Sequence, residues 1–176
     1  MNIGLIAVGQ AGGKITDAIL DYQYQNDLSF VADALAVNTA EADLLGLRHV
    51  PADRQILIGQ SRVKGHGAGA DNELGAELAR EDLQEVIGAL DQVPMSDVDA
   101  ILIVAALGGG TGSGGAPVIA RRLRELLAVR HRHGAGLVIA AISRAPPARA
   151  IRCTLRHSAD AEHVTEHVER AEGGAH

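Results

Sequence analysis

The sequence predicts an α/β domain, a doubly wound parallel sheet with helices on both faces. Two observations carry this. Short, almost purely apolar runs alternate with amphipathic segments along the chain, and strands that read as continuous apolar runs are those buried on both faces, as in parallel sheets. Glycine-rich stretches fall where such runs hand over to helices, and in doubly wound sheets the loops beyond the carboxyl ends of the strands hold ligands. A length of 176 residues suits one domain with its own core. Aromatic residues make up only 2% of the chain, so that core is expected to be aliphatic.

Taken in order, NIGLIAV (2–8) reads as the first strand, followed by the glycine-rich GQAGGK (9–14) and a helix through ITDAILDYQ. FVADALAV (30–37) and RQILIG (54–59) are the next strands. GHGAGADNE (65–73) is a second glycine-rich loop, leading into one long helix from about Asp71 to Leu90, where Leu74, Leu78, Leu83, Val86, Ile87 and Leu90 recur at helical spacing. DAILIVAAL (99–107) is a fourth strand and GGGTGSGG (108–115) a third glycine-rich loop. Ile119, Leu123, Leu126 and Leu127 then mark an amphipathic helix, with Pro117 suited to its first turn. GLVIAAI (136–142) is the fifth strand. The texture changes after Ser143: the Ala-, Arg- and His-rich remainder has no strong strand and offers only a weak helix at about 158–171, with Val164 and Val168 as its apolar stripe. Residues 1–142 therefore read as the domain and 143–176 as a weakly structured tail.

Charge and composition narrow the function. A net charge of -6 argues against a nucleic-acid partner, because neutralising phosphates needs a surplus of Lys and Arg. The single cysteine, Cys153, excludes an internal disulfide and fits a reducing compartment. No run approaches the roughly 18 apolar residues of a membrane span. The expected location is the cytoplasm.

Glycine-rich turns let successive backbone N–H groups converge on one anion, and a helix that starts there adds its positive dipole end. Residues 108–115 have this form, with Thr111 and Ser113 as extra hydroxyl donors. One such turn alone is also explained by tight packing; three at strand-to-helix joints point to a di- or triphosphate. The G-x-x-x-x-G-K-[ST] phosphate loop is excluded, since Lys14 is followed by Ile15 and position 8 is Val8. A dinucleotide fingerprint does occur as Gly110-x-Gly112-x-x-Gly115. The next strand ends in Ser143 and Arg144 with no acid for a ribose hydroxyl, so an NADP-binding domain, with Arg144 on the extra phosphate, stays open as the alternative.

GGGTGSGG resembles the signature loop of the tubulin and FtsZ superfamily of GTPases. GQAGG, AVNTAEADL (36–44) and GAGADNELG (67–75) are similar to its other nucleotide loops, in the same order and spacing. The pairing of GQAGGK with ILIGQSRVKGHGAGADNELGAE looks most like the archaeal tubulin-like CetZ group, over about residues 1–142. The resemblance implies a domain that binds GTP or GDP with Mg2+ and belongs to a cytoskeletal filament linked to cell shape or division. Gln10, Ala11 and Gly12 match the first phosphate loop, and Gly108, Gly109, Gly110, Thr111, Gly112 and Ser113 the signature loop. Asn38 matches an asparagine near the terminal phosphate, and Ala68, Gly69 and Ala70 the loop that senses the γ-phosphate. Asp71 and Glu73 lie where acids stand on the metal side, acting through water. Asp17 falls where the family has a side chain close to guanine, with a solvated helix residue as the plain alternative.

Family members continue with a ribose loop, a central helix that stacks on the base, and a second domain, and they assemble head to tail so that acids of one subunit activate water on the next. SRAPPARAIRCTLRH (143–157) matches none of these. The expectation is a fragment or frameshifted copy, with a natural short paralogue or a new tail as the other readings. Its partners would be copies of itself or full-length homologues, its own turnover would be low, and it would bind as a filament cap if it kept one assembly face. A non-enzymatic interaction protein that has lost its nucleotide is the remaining class, and three intact glycine-rich turns speak against it. His163-x-x-Glu166-His167 has the spacing of an inverted zinc-peptidase motif, but without a third ligand it reads as a solvated His/Glu helix; HRH (131–133) reads as a polar helix end.

Overall fold

A computed structural model describes residues 2–92, 98–130, 136–142 and 151–155. Five strands run parallel in one sheet: β1 (Ile3–Val8), β2 (Val31–Asn38), β3 (Gln55–Leu57), β4 (Ala100–Ala106) and β5 (Gly136–Ile142). A sixth, β6 (Ile151–Leu155), pairs antiparallel with β5, and the order across the sheet is β3-β2-β1-β4-β5-β6. β1 is central, flanked by β2 in one direction and β4 in the other, so the strand order reverses between β1 and β4. In open α/β sheets, that reversal opens a crevice at the carboxyl ends of the two strands.

Alternation along the central strands sends side chains to both faces. Ile6 and Val8 of β1, Leu35 and Val37 of β2, and Ile101, Ile103 and Ala105 of β4 enter one buried cluster. Helices α4 (Asn72–Glu81), α5 (Leu83–Asp91) and α6 (Gly110–Arg130) cover that face through Ala79, Val86, Ile87, Leu90, Ile119 and Leu123. Leu5, Ala7, Ala34 and Ala36 point the other way, against α1 (Gly9–Gln25) and α2 (Glu41–Leu45), which contribute Ile19, Leu20 and Leu44. A short helix, α3 (Gln60–Val63), follows β3. The doubly wound architecture is as the sequence predicts, and among the described residues the buried clusters are aliphatic, with Phe30 half-buried against one of them.

Several details differ, each with a physical cause. The long helix expected over Asp71–Leu90 is two helices, interrupted at Asp82, whose carboxylate accepts the Gly59 N–H at 2.6 Å. The apolar periodicity continues across the break, so it gives no sign of it. The third strand is only Gln55–Leu57, because the chain turns at Gly59 against Leu78.

Two of the three glycine-rich loops turn out to be largely helical: α1 already begins at Gly9 and α6 at Gly110. Their glycines serve close approach. A Cβ on Gly12 would lie 2.3 Å from the Val104 carbonyl oxygen of the sheet, and one on Gly114 would lie 2.0 Å from the Asn72 carbonyl of α4. Pro117 consequently falls inside α6 rather than in its first turn, where its missing N–H leaves the Ser113 carbonyl without the usual helical partner.

The strand at 151–155 is an element the sequence does not announce. The weak helix at 158–171, HRH at 131–133 and the motif at 163–167 all lie outside the described residues. Among the described residues, no helix is long and apolar enough to cross a membrane.

Candidate functional site

The candidate site lies where the chain leaves β1, β2 and β4. At the end of β1, Gly9 has φ +75° and starts α1, so close to the first turn of α6 that an added Cβ would be 2.9 Å from the Gly112 nitrogen. The N-termini of α1 and α6 thus meet beside the β1–β4 reversal. Val8, which precedes α1, has no side chain able to cap it, and neither first turn carries an acid. The first N–H groups of a helix have no partner within it, and the dipole places partial positive charge there. Two such ends without acidic caps, side by side, form an anion-binding surface.

The remaining loops are tied to this pair. The loop from 65 to 70 has three glycines in the left-handed region, Gly65, Gly67 and Gly69, a path that residues with a Cβ rarely follow. Gly67 donates its N–H to the Thr39 carbonyl and Glu41 donates to Gly65, both at 3.0 Å, which lays this loop against the end of β2. At its other end the Gly69 carbonyl accepts the Gly110 N–H at 3.0 Å. Gly110 is hemmed in by the carbonyls of Ala68, Gly69 and Asp71, the nearest 2.6 Å from a would-be Cβ. Segments far apart in sequence are therefore joined at one end of the sheet.

Most of the residues singled out from the sequence come together here. Gln10 is exposed at the start of α1, with Ala11 half-buried and Gly12 buried behind it. Gly108 is exposed and Gly109 half-buried, while Gly110, Thr111 and Gly112 are buried in the turn that opens α6. Ala68 is buried, and Gly69 and Ala70 are exposed. Asn38 is buried: its Oδ1 accepts the N–H groups of Thr39 at 2.8 Å and Ala40 at 3.3 Å.

The two hydroxyls expected to donate to a ligand are already engaged. Thr111 Oγ1 lies 2.6 Å from Thr39 Oγ1, both residues being buried, and the Ser113 hydroxyl donates to the Gly109 carbonyl. Backbone N–H groups, rather than these side chains, are left as the principal donors.

Asp71 caps α4: its Oδ1 accepts the Leu74 N–H at 3.0 Å, leaving Oδ2 and the exposed carboxylate of Glu73 on the first turn. Among the described residues, no three His, Cys, Asp or Glu side chains form a group that could hold a metal by themselves. Mg2+ ordinarily keeps several waters and takes one or two carboxylates together with phosphate oxygens. Asp71 and Glu73 fit that pattern and not a cage made of protein alone.

Asp17 is not brought into the group, and it is not solvated either. Its Oδ1 accepts three backbone N–H groups, from Arg48 at 3.0 Å, His49 at 2.7 Å and Val50 at 3.1 Å, and its Oδ2 faces His49 Nδ1 at 3.6 Å. Burial pushes its carboxyl pKa up, but the three N–H groups and the imidazole outweigh this and hold it below the ordinary value. Through Oδ1 this carboxylate anchors the segment after α2.

Two residues that the sequence did not single out belong to the site. Thr39 carries the hydroxyl that meets Thr111. Asp43 accepts from the Gln10 amide at 2.7 Å and the Asn38 amide at 3.3 Å, joining the first turn of α1 to the end of β2. Their presence within NTAEAD, directly after Asn38, was the only signal available.

Comparison with known proteins bears on this geometry. The match to the family described as "Tubulin/FtsZ family, GTPase domain" runs over residues 2–137. Tubulin-like protein CetZ3 of Haloferax volcanii is 59% identical over 126 residues, which is 72% of this chain and 32% of that protein. CetZ5 of the same organism is 44% identical over 175 residues, 99% of this chain and 43% of the relative, so with CetZ5 the likeness carries on past residue 142. The chain thus spans less than half the length of these relatives. Among solved structures, CetZ1 of H. volcanii as a GDP-bound monomer superposes with a TM-score of 0.73 at 50% identity, covering 81% of this chain and 41% of that one. CetZ2 of the same organism, in a GTPgS-bound protofilament, gives 0.71 at 44%, covering 80% and 39%. With a family match over most of its length and a fold that superposes on these structures, the chain belongs to the tubulin/FtsZ family.

Proposed function

We propose that this domain binds GTP and GDP, with the phosphates seated on the N-termini of α1 and α6 at the β1–β4 reversal. The observation that carries the reading is the meeting of two helix starts without acidic caps, walled by the loop at 65–70. The N–H groups of residues 10–12, 108, 109, 111 and 112 supply the donors, those of Gly110 and Ser113 being spent on the Gly69 and Gly109 carbonyls, and Asn38 and Gln10 flank them. Ala68, Gly69 and Ala70 close the side next to Gly110. Asp71 and Glu73 are the residues that would hold Mg2+ through water, and the ion would offset charge on the phosphate oxygens. Asp17 secures the segment at 48–50 and is not assigned to the base. The GDP- and GTPgS-bound relatives support the choice of guanine nucleotide.

On this reading, residues 1–142 form the nucleotide-binding unit and the segment 143–176 adds β6 to its edge. The domain belongs to a cytoskeletal filament concerned with cell shape or division, assembling head to tail with copies of itself or with full-length homologues, as the CetZ2 protofilament suggests. No described side chain is assigned to the activation of water, and turnover is proposed to depend on a neighbouring subunit.

Equilibrium binding of GTPγS, ATPγS and NADPH to the 176-residue chain, each with and without Mg2+, tests the assignment. Saturable GTPγS binding that Mg2+ strengthens, with ATPγS and NADPH much weaker, is the expected result. Preferential NADPH binding would instead support the dinucleotide reading of Gly110, Gly112 and Gly115, and no binding at all would refute a nucleotide site.

A further inference from the structure

We propose that Asp43 is a positioning residue for the phosphate crevice, fixing the direction in which the amides of Gln10 and Asn38 present their N–H groups. This rests on the nucleotide-binding reading above and adds to it a residue outside the phosphate loops. Asp43 lies in the first turn of α2, half-buried, with Oδ1 2.7 Å from Gln10 Nε2 and Oδ2 3.3 Å from Asn38 Nδ2. A carboxylate can only accept hydrogen bonds. Each amide must therefore turn its NH2 group toward Asp43, and the orientation of both is decided by one side chain.

The two amides differ in how far they depend on it. Asn38 is held from its other end as well, since its Oδ1 accepts from the Thr39 and Ala40 N–H groups. Gln10 is exposed, and Asp43 is the one hydrogen-bond partner the described residues give its side chain. An amide free to rotate offers an anion its repelling carbonyl as readily as its attracting NH2. Pinned to Asp43 by one proton, each NH2 keeps its second proton available, and the ordering entropy is met before a phosphate arrives. A role limited to the dipole of α2 does not account for this geometry, because Glu41 already places a carboxylate in the same five-residue helix, and neither hydrogen bond of Asp43 stays within it.

The test uses the full chain and the variants Asp43→Ala, Asp43→Asn and Asp43→Glu. In 15N-resolved spectra of the nucleotide-free protein, the side-chain NH2 signals of Gln10 and Asn38 are expected to shift in Asp43→Ala, and that of Gln10 to move to the position of an unbonded amide. GTPγS affinity is expected to fall about tenfold in Asp43→Ala, less in Asp43→Asn, which keeps one acceptor, and to be largely restored in Asp43→Glu, all at a melting temperature within about 2 °C of wild type. Unchanged NH2 signals, or unchanged GTPγS affinity in Asp43→Ala while wild type binds, would overturn the proposal. So would an affinity loss that tracks melting temperature across the three variants, which marks a purely structural residue. Absence of binding in wild type together with the expected NH2 shifts would instead refute the nucleotide reading on which the positioning role depends.

Discussion

Replacing Gly114 by alanine is expected to destabilise the domain even though alanine is the better helix former. Gly114 lies in the early turns of α6, where a Cβ would be 2.0 Å from the Asn72 carbonyl oxygen and 2.6 Å from the Ala76 nitrogen of α4. Both neighbours are helix backbone, so neither can swing aside as a side chain would. Relief requires the two helices to part by about 1 Å or more, which loosens the packing of Ala79 against Ala116 and Ile119. Overpacking of this kind costs typically 1–3 kcal/mol and sometimes more. Helix propensity returns about 1 kcal/mol. With rigid neighbours placing the cost at the upper end, the net loss is about 2 kcal/mol, a fall in melting temperature of about 4–8 °C for a domain of this size. The matching control is Gly88→Ala in α5, where nothing lies within 4 Å of the would-be Cβ; there the propensity term acts alone and gives a rise of about 0.5–1 kcal/mol. Calorimetry or urea melts of both variants decide the matter. A Gly114→Ala protein as stable as Gly88→Ala would refute the claim that the glycines opening α6 are there for close approach.

Other outcomes follow from the same geometry. Thr39→Val should cost about 1–3 kcal/mol by leaving the buried Thr111 hydroxyl unpaired, and adding Thr111→Val should recover part of that, since removing both partners is milder than removing one; a double-mutant cycle in urea measures it. Asp17→Ala should cost about 1–3 kcal/mol through the three orphaned N–H groups at 48–50. The folded-state pKa of Asp17 lies below its unfolded value of 3.8, so its contribution is full above that pH and is lost as pH falls through the folded value. Wild type should therefore lose stability more steeply than Asp17→Asn below about pH 4, which urea melts across the acid range would show. Saturating GTPγS with Mg2+ should raise stability by about 2.7 kcal/mol at a concentration 100 times its dissociation constant, and a melting temperature that ignores nucleotide would count against the site.

The centre of the sheet was legible because β1 and β4 are runs of largely aliphatic residues long enough to be buried on both faces, and Ile6, Val8, Ile103 and Val104 are buried as that pattern requires. Interruptions set by a single polar side chain were not legible. Nothing in the spacing around Asp82 distinguishes an acid on a helix surface from one that accepts the Gly59 N–H and ends a helix.

The site shows the same division. Glycine spacing located the turns, since glycine is the one residue that fits both an anion cradle and a backbone contact, but it did not say which glycine served which purpose. Gly69 follows a left-handed path in the loop, whereas Gly12, Gly75 and Gly114 let helices approach backbone. The hydrogen bonds of Asp17 and Asp43 were not legible because their partners, the segment at 48–50 and the amides of Gln10 and Asn38, are distant in sequence or on other elements.

On the proposed function, backbone N–H groups at the starts of α1 and α6 hold a phosphate chain. Backbone amide chemical shifts of the 15N-labelled 176-residue chain, followed during titration with GDP and Mg2+, test it most directly. Saturable changes are expected, largest at residues 10–12 and 108–113, smaller at 68–70, and slight at 48–50 beside Asp17. Shifts concentrated away from these turns, or none that saturate, would contradict it.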